Sequence, residues 1–393
     1  MVGLSRTLGN LARYRRAMEN GAVRPRAPAA PSRLRECAVF GENPGNLRML
    51  TYVPENLPAS PALVVVLHGC TQTAAAYDHG AGWSRLADEA GFVLLFPEQQ
   101  PANNPKNCFT WFDANDTRRD AGEALSIRSM VARMVEDHGI DPGRVFVTGL
   151  SAGGAMANVM LATYPEVFAG GAVIAGLPYG AAASVPQAFE AMFKGANRPA
   201  REWGDLVRAA SPYRGPWPRI SVWQGSADRT VVASNAEEIV KQWADVHDLS
   251  PATADREPGS AFSREVWRDA DGRILIERVT IPGMAHGTPL AVGAGEDQGG
   301  NAGPFLLDVG VSSTHHIARF FGLLDARAEA RARAESYVAA AASDPTWEPL
   351  SGDLVLPGDI TGSDSARPAA NRAPIDVHGV IANALRAAGL MRP

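Results

Sequence analysis

Short runs of apolar residues recur along the middle of the chain, and helical stretches lie between most of them. Runs of roughly four to eight residues rich in Val, Ile, Leu and Phe are typical of strands buried on both faces. The pattern predicts such strands at Leu63–Leu67, Phe92–Phe96, Val145–Thr148, Gly171–Ile174, Ile220–Trp223 and Leu275–Ile281. This alternation predicts an α/β fold, with a mainly parallel sheet covered by helices on both faces.

The stretch 177–217 is long for a connection between two strands, and it contains two helical segments, at 186–194 and 202–209. One interpretation is a small helical lid-like insertion over a functional site. The alternative is a pair of helices packed on the sheet, which explains the apolar residues of this stretch equally well.

The two ends of the chain differ in composition from its middle. Residues 1–35 hold a helical stretch at 4–19 and a linker rich in Pro, Ala and Arg, whereas residues 325–393 combine an Ala- and Arg-rich start, a linker and an apolar-striped end. We therefore predict a catalytic domain at 36–324 between a basic N-terminal extension and a helical C-terminal one. The helix at 4–19 is interpreted as docked on the domain, or alternatively as a basic anchor for a granule, membrane or organelle surface.

Composition and charge narrow the class of protein. Of the 393 residues, 46% are hydrophobic and 20% charged, which supplies one large core and excludes disorder of the whole chain. The net charge of −5 is uneven, because residues 1–35 carry eight arginines and one glutamate, but nothing indicates a nucleic-acid groove. No stretch is apolar enough for a membrane span, and arginines interrupt the place of a signal peptide's apolar core. We expect a cytoplasmic protein.

A serine in a glycine-rich pentapeptide is the first chemical signal. G-L-S-A-G at 149–153 joins the strand Val145–Thr148 to a helix of small residues predicted at Ala152–Tyr164. G-x-S-x-G at a strand-to-helix turn holds a serine as a nucleophile. The pentapeptide alone is weak because 39 residues of the chain are glycine, and its position after a buried strand strengthens it. We predict Ser151 as the nucleophile of a serine hydrolase.

A nucleophilic serine needs a base, and the base needs an orienting carboxylate. Asp228 follows the strand Ile220–Trp223, at the edge where open α/β sheets gather functional groups. His286 lies in a glycine-rich turn directly after the last predicted strand. Because the order Ser151, Asp228, His286 is that of α/β-hydrolases, we predict these three as the triad. Four other acids, on a helix or in polar loops, are the alternatives: Asp245, Asp248, Asp255 and Asp269.

An ester or acyl transfer also needs an oxyanion hole of two N–H donors. We expect one from the backbone of Ala152, after the nucleophile, and one from Cys70, in the H-G-x turn that follows the strand Leu63–Leu67. His68 is then a structural residue of that turn. Cys70 and Cys108 both fall in loops expected at the carboxyl edge of the sheet, so they form either a disulfide, which would hold the oxyanion donor, or two free thiols.

Five blocks, in chain order, resemble the polyhydroxybutyrate (PHB) depolymerase family of esterases. They are L-H-G-C-T-Q-T-A at 67–74, N-C-F-T-W-F at 107–112, G-L-S-A-G-G-A-M at 149–156, A-G-L-P-Y-G at 175–180 and W-Q-G-S-A-D at 223–228. The resemblance covers about 35–324 and implies an α/β-hydrolase fold with the triad already named. Within these blocks, Trp111 and Tyr179 are the expected substrate contacts, and plain core packing is the alternative for Trp111.

The family that the blocks resemble includes polyester depolymerases, feruloyl esterases and acetylxylan esterases. We expect a serine esterase that hydrolyses a short-chain polyester, poly(3-hydroxybutyrate) or its oligomers, through an acyl-enzyme. The alternatives are a feruloyl or acetylxylan-type carbohydrate esterase and, in another class, a non-catalytic protein that binds a polymer granule through its terminal helices. No zinc-ligand spacing or dinucleotide fingerprint is present, so no metal or cofactor is expected.

Overall fold

A ten-stranded sheet forms the centre of the computed structural model, which describes residues 32–324 except 253, 259–260 and 296. The strands of the described residues are β1 Arg35–Cys37, β2 Arg48–Tyr52, β3 Leu63–Leu67, β4 Val93–Glu98, β5 Val145–Leu150, β6 Gly170–Ile174, β7 Arg219–Gly225, β8 Asp255–Pro258, β9 Ser263–Arg268, β10 Ile274–Ile281, β11 Thr288–Leu290 and β12 Leu306–Asp308. The large sheet has the order β1-β2-β4-β3-β5-β6-β7-β10-β9-β8, and β11 pairs with β12 separately.

The six strands that the apolar runs predict form the parallel centre of this sheet, from β4 through β10. β3 has the predicted ends, and the other five differ from the predicted ones by one or two residues; β4, for example, begins at Val93 and continues to Glu98. The four outer strands β1, β2, β9 and β8 pair antiparallel and were not predicted. They mix charged and polar residues with apolar ones, so they lack the continuous apolar run of a fully buried strand.

Helices cover both faces of the sheet. In the described residues they are α1 Ala74–Ala81, α2 Trp83–Ala90, α3 Ala114–Thr117, α4 Gly122–His138, α5 Ala152–Thr163, α6 Val185–Lys194, α7 Ala200–Ala209, α8 Ser234–Val246 and α9 Ser313–Phe320. Alternate residues of β3 belong to two separate buried clusters, Val65 to one and Val64 to the other. The first cluster includes side chains of α4 to α8, and the second includes side chains of α1, α2 and α9. The α/β fold with helices on both faces is confirmed.

The two helices predicted within 177–217 are present as α6 and α7, and both contact α8. The buried indole N–H of Trp203, in α7, donates a hydrogen bond of 2.7 Å to Glu238 in α8. The carbonyl of Met192, at the end of α6, accepts one of 2.9 Å from Val232 just before α8. These contacts favour helices packed on the domain over a lid.

The terminal helix predicted at 4–19 and the C-terminal extension 325–393 lie outside the described residues. Within the described residues, no helix is both long and apolar enough to cross a membrane.

Candidate active site

Each residue of the predicted triad follows a parallel strand at its carboxyl end. Ser151 comes directly after β5, Asp228 three residues after β7, and His286 five residues after β10. Cys70 follows β3 in the same way. Because these strands run parallel in one sheet, their carboxyl ends meet at one edge, where open α/β sheets bind their ligands.

Ser151 occupies a strained backbone conformation between β5 and α5. Its φ of 58° and ψ of −116° lie in a region that non-glycine residues rarely adopt. An added Cβ on Gly153 would lie 2.4 Å from the carbonyl oxygen of Leu67, which shows how tight the turn is. Ser151 is 6% exposed, so its hydroxyl lies just below the surface at the start of a helix. This is the geometry of a serine nucleophile at a strand-to-helix turn.

Asp228 and His286 are in direct contact. Nδ1 of His286 lies 2.7 Å from Oδ2 of Asp228, and both side chains are buried. Oδ1 of the same carboxylate accepts hydrogen bonds from the backbone N–H groups of Thr230 and Val231, at 2.8 and 2.9 Å, and Oδ2 accepts a third, from Gln224. The carboxylate is therefore fixed on both oxygens, and it orients the imidazole so that Nε2 is left for a reacting proton.

The loops that carry Asp228 and His286 are fastened to each other. The backbone N–H of Ala227 donates to the carbonyl of Met284 at 3.0 Å, and the hydroxyl of Ser226 accepts from the N–H of Gly283 at 2.8 Å. An added Cβ on Gly225 would lie 2.3 Å from the same Met284 carbonyl oxygen, so the close approach requires glycine at that position. The spacing of Asp228 and His286 is thus set by hydrogen bonds between their loops.

The turn after β3 is held by side chains and leaves one N–H free. Nδ1 of His68 lies 2.8 Å from the carbonyl oxygen of Gly69, and Oε1 of Gln72 accepts the N–H of Gly69 at 2.9 Å. Burial lowers the pKa of His68, so the ring is neutral and structural. Within the described residues, the N–H groups of Cys70 and Ala152 donate to no other protein atom. Both predicted oxyanion donors are therefore available to a ligand.

A disulfide joins Cys70 to Cys108 across 38 positions of the chain. The sequence left a bridge and two free thiols open, and the structure has the bridge. Cys37 is the free cysteine of the described residues. The backbone N–H of Thr71 donates to the carbonyl of Lys106 at 2.6 Å, so the loop before Cys108 and the turn after β3 are joined by backbone as well.

Comparison with known proteins agrees with this arrangement. The family model described as "Esterase PHB depolymerase" matches residues 50–267. "Poly(3-hydroxyalkanoate) depolymerase C" of Paucimonas lemoignei is 49% identical over 294 residues, which cover 74% of this chain and 70% of that relative. The chain belongs to the PHB depolymerase family of esterases. It is thus a hydrolase of carboxylic esters, and the resemblance of its five blocks is confirmed.

Other members of this esterase family have been named for carbohydrate esters. "Acetylxylan esterase" of Coprinopsis cinerea is 37% identical over 276 residues, covering 68% of this chain and 73% of the relative. The solved structure of acetyl xylan esterase from Aspergillus awamori is 29% identical, with a TM-score of 0.60, and the match covers 64% of this chain and 93% of that one. The α/β-hydrolase fold is shared across this range of names.

In this esterase, an aromatic residue that the sequence did not indicate lies beside the histidine. The ring of Phe305 makes an edge-to-face contact with the ring of His286, with centroids 6.0 Å apart. Phe305 is half-buried, and its φ of 60° is unusual for a bulky residue. Its carbonyl accepts the N–H of Thr288 at 2.8 Å, and the pairing of β11 with β12 fastens its loop to that of His286. The two residues are 19 positions apart and separated by a glycine-rich loop, so no local sequence pattern predicts their contact.

The two predicted substrate contacts lie in well-packed places. Trp111 is 7% exposed and packs edge-to-face against Phe112, three residues from the bridged Cys108. Tyr179 is half-buried, and Gln242 of α8 bonds both its N–H and its carbonyl, at 2.9 and 3.0 Å. Their part in binding substrate stays a prediction. Within the described residues, no group of three His, Cys, Asp or Glu side chains is arranged to hold a metal ion.

Proposed function

We propose that this enzyme hydrolyses a short-chain polyester through an acyl-enzyme, with Ser151, His286 and Asp228 as its triad. Ser151 Oγ attacks the ester carbonyl while Nε2 of His286 takes its proton, and the imidazolium then gives that proton to the leaving alcohol. Water, activated by the same imidazole, cleaves the acyl-enzyme and releases the acid. The observation that carries the proposal is the 2.7 Å bond between His286 and Asp228 at the sheet edge where the strained Ser151 lies.

The two free N–H groups complete the proposed chemistry. The tetrahedral intermediate carries a negative charge on the former carbonyl oxygen, and donors of Cys70 and Ala152 would bind it. Losing one such donor costs about 3 to 4 kcal/mol of barrier in comparable hydrolases. The donor at Ala152 also lies at the N-terminus of α5, where the helix dipole favours negative charge.

The substrate class rests on the relatives. A polyhydroxyalkanoate depolymerase is 49% identical to this chain, against 37% for an acetylxylan esterase of similar coverage. The ester bond is common to both substrates, and the groups on either side of it differ. We therefore propose the hydroxyalkanoate ester, with poly(3-hydroxybutyrate) or its oligomers as the first substrate to test.

The experiment measures release of 3-hydroxybutyrate from amorphous poly(3-hydroxybutyrate) granules and from a hydroxybutyrate trimer. Methyl ferulate, acetylated xylan and a short p-nitrophenyl ester run beside them, with Ser151→Ala as the blank. We expect turnover of granules or trimer that Ser151→Ala abolishes. Turnover confined to the ferulate or the xylan would refute the polyester, and turnover that survives in Ser151→Ala would refute the triad.

The same assay tests the non-catalytic alternative. A granule-binding protein would sediment with granules in the Ser151→Ala form and release no product in either form. The terminal helices that the sequence predicts, and that such binding would use, lie outside the described residues. Sedimentation of the variant together with full Ser151-dependent turnover by the parent would support an esterase that also holds its granule.

A further inference from the structure

A buried carboxyl group lies behind the oxyanion turn and takes no part in the proposed triad. Glu123, in the first turn of α4, is 2% exposed. Its Oε1 accepts a hydrogen bond of 2.5 Å from the side-chain amide of Gln99, and its Oε2 accepts one of 3.0 Å from the backbone N–H of Thr110. Within the described residues it forms no ion pair, so its charge would be uncompensated there.

One hydroxyl group lies between this carboxyl and a second one. Oγ1 of Thr110 is 2.7 Å from Oε1 of Glu123 and 2.5 Å from Oδ2 of Asp116. A hydroxyl has one hydrogen, so it can donate to one of the two acids and must accept from the other. One carboxyl group is therefore protonated. Glu123 is more buried than Asp116. Burial is the largest cause that raises the pKa of Glu123 to about 8, and the nearby charge of Asp116 also raises it. The proton belongs to Glu123 at neutral pH.

The first connection from Glu123 to the oxyanion turn runs through Gln99. The side chain of Gln99 donates to Glu123, and the backbone N–H of the same residue donates to Nε2 of His68 at 3.1 Å. The other ring nitrogen of His68 bonds the carbonyl of Gly69, next to Cys70. A shift of Gln99 would therefore move the ring that shapes this turn.

The second connection runs through the disulfide. Thr110, which Glu123 bonds by both its N–H and its hydroxyl, lies two residues after Cys108. Cys108 is bonded covalently to Cys70, and its carbonyl accepts from the side chain of Gln99 at 3.3 Å. Glu123 thus bonds Thr110, which is close to Cys108, and Gln99, which is connected to the turn of Cys70 through His68.

We propose that protonated Glu123 is a positioning residue that holds the oxyanion donor of Cys70 in place, and that loss of its proton at alkaline pH lowers kcat. Without that proton, the Thr110 hydroxyl faces two carboxylates and can satisfy one. The loop 107–112 and the turn joined to it then shift away from the oxyanion. This inference rests on the proposed function, because it assumes the Ser151 ester chemistry.

The charges around Glu123 agree with this assignment. Its neighbours are the backbone at Gly45, the turn at Gln99, the loop 107–112 and α3. Among the titratable groups of these elements, Asp116 faces Glu123, and a like charge opposes ionisation. At the far end of the Gln99 connection, His68 is neutral because burial lowers its pKa. No cation reaches Glu123 within the described residues.

The test is the pH dependence of kcat and KM for a short p-nitrophenyl ester between pH 6 and pH 10, with Ser151→Ala as the blank. For the parent, we expect kcat about tenfold lower at pH 9 than at pH 7, with KM nearly constant. In Glu123→Gln, kcat should stay level over this range because an amide cannot ionise. Circular dichroism at each pH, and recovery of kcat on return to pH 7, separate this effect from unfolding.

Two more variants sharpen the test. Asp116→Asn removes the second carboxylate and supplies an N–H to the Thr110 hydroxyl, which can then donate to an ionised Glu123, so the alkaline fall of kcat should be much smaller than in the parent. Glu277→Gln is the matched control: Glu277 is another buried carboxyl group whose pKa burial raises, but it bonds Ser221 and Arg264 on the neighbouring strands. This control should keep the alkaline fall of the parent.

An alkaline fall that persists unchanged in Glu123→Gln would overturn the inference. An undiminished fall in Asp116→Asn would overturn it too, and this second variant decides if Glu123→Gln does not fold. Failure of the proposed function has a different signature, since the parent would then show no Ser151-dependent turnover at pH 7.

Discussion

Removing the disulfide between Cys70 and Cys108 should weaken the fold by a calculable amount. The bridge closes a segment of 38 positions, and closing a loop of that length lowers the entropy of the unfolded chain. The chain-entropy relation gives about 4 kcal/mol of stabilisation for such a loop. The double variant Cys70→Ala, Cys108→Ala should therefore lose up to about 4 kcal/mol in its free energy of unfolding.

The same change should lower activity more than it alters substrate binding. The backbone N–H at position 70 survives the substitution, but its turn loses the covalent tie to the loop of Cys108. A full loss of one oxyanion donor lowers kcat by about 10² to 10³, so a loosened donor should lower it by about tenfold. KM should change little, because the oxyanion forms after the substrate has bound.

Urea unfolding followed by tryptophan fluorescence measures the first effect, and ester turnover measures the second. Cys37→Ala is the matched control, since Cys37 is a free, partly exposed cysteine and its loss should leave both quantities unchanged. Thiol titration of the unreduced parent in denaturant should find one free thiol. Three free thiols, or a double variant whose unfolding free energy equals that of the parent, would refute the reasoning.

Four further changes test other parts of the structure. Gly153→Ala should abolish turnover and lower soluble yield, because its Cβ would lie 2.4 Å from a carbonyl oxygen of β3; parental activity would contradict the tight turn. Asp228→Asn should lower kcat by roughly 10⁴ while the fold persists by circular dichroism, because the imidazole loses its orienting charge. Phe305→Ala should raise KM about three- to tenfold for the hydroxybutyrate trimer and less for an acetyl ester, and equal changes would exclude contact with the chain. Glu123 has a pKa of about 8 folded against an ordinary 4.5, so the free energy of unfolding should fall as pH rises from about 4.5 to 8. Urea midpoints across this range should decline less in Glu123→Gln.

The parallel centre of the fold was predictable because burial on both faces leaves a clear mark in the sequence. Leu63–Leu67 is apolar at every position, and the structure has β3 with the same ends. Outer strands such as Arg48–Tyr52 are buried less evenly and mix charged with apolar residues, so their sequences resemble loops. Their pairing depends on contacts with a strand that is distant in the chain, here β4.

The residues of the site also differ in how readily the sequence predicts them. Ser151, Asp228 and His286 were predicted because each follows a predicted strand, and chain order assigned their roles. The structure places all three after parallel strands and brings Asp228 and His286 into contact, and their roles stay a prediction. Gln224 and Phe305 were not found. The first fixes the acid through a side-chain bond, and the second reaches the histidine from a loop without regular sequence pattern. Residues that directly follow a strand can be predicted from the sequence. Contacts between loops that are distant in the chain can be seen only in the three-dimensional structure.

Glu123 shows why a buried acid is hard to recognise from sequence. It follows Gly122 at the start of a helix, where acidic residues are common because the helix dipole favours them. That ordinary reason would place the side chain in water as a carboxylate. The structure instead buries it against Thr110 and Gln99. This burial depends on the folded chain bringing the turn at Gln99 and the loop of Thr110 against the start of α4.

The disulfide also bears on where the enzyme works. Disulfides persist in oxidising compartments and are rare in the cytosol, so the bridge between Cys70 and Cys108 opposes the cytoplasmic location expected from the sequence. The double variant Cys70→Ala, Cys108→Ala tests whether the enzyme can work without the bridge, because it approximates the enzyme with both thiols reduced. If it loses turnover as expected, an enzyme kept reduced would be handicapped in the same way. Full activity in that variant would make the bridge dispensable and leave a reducing compartment open to this esterase.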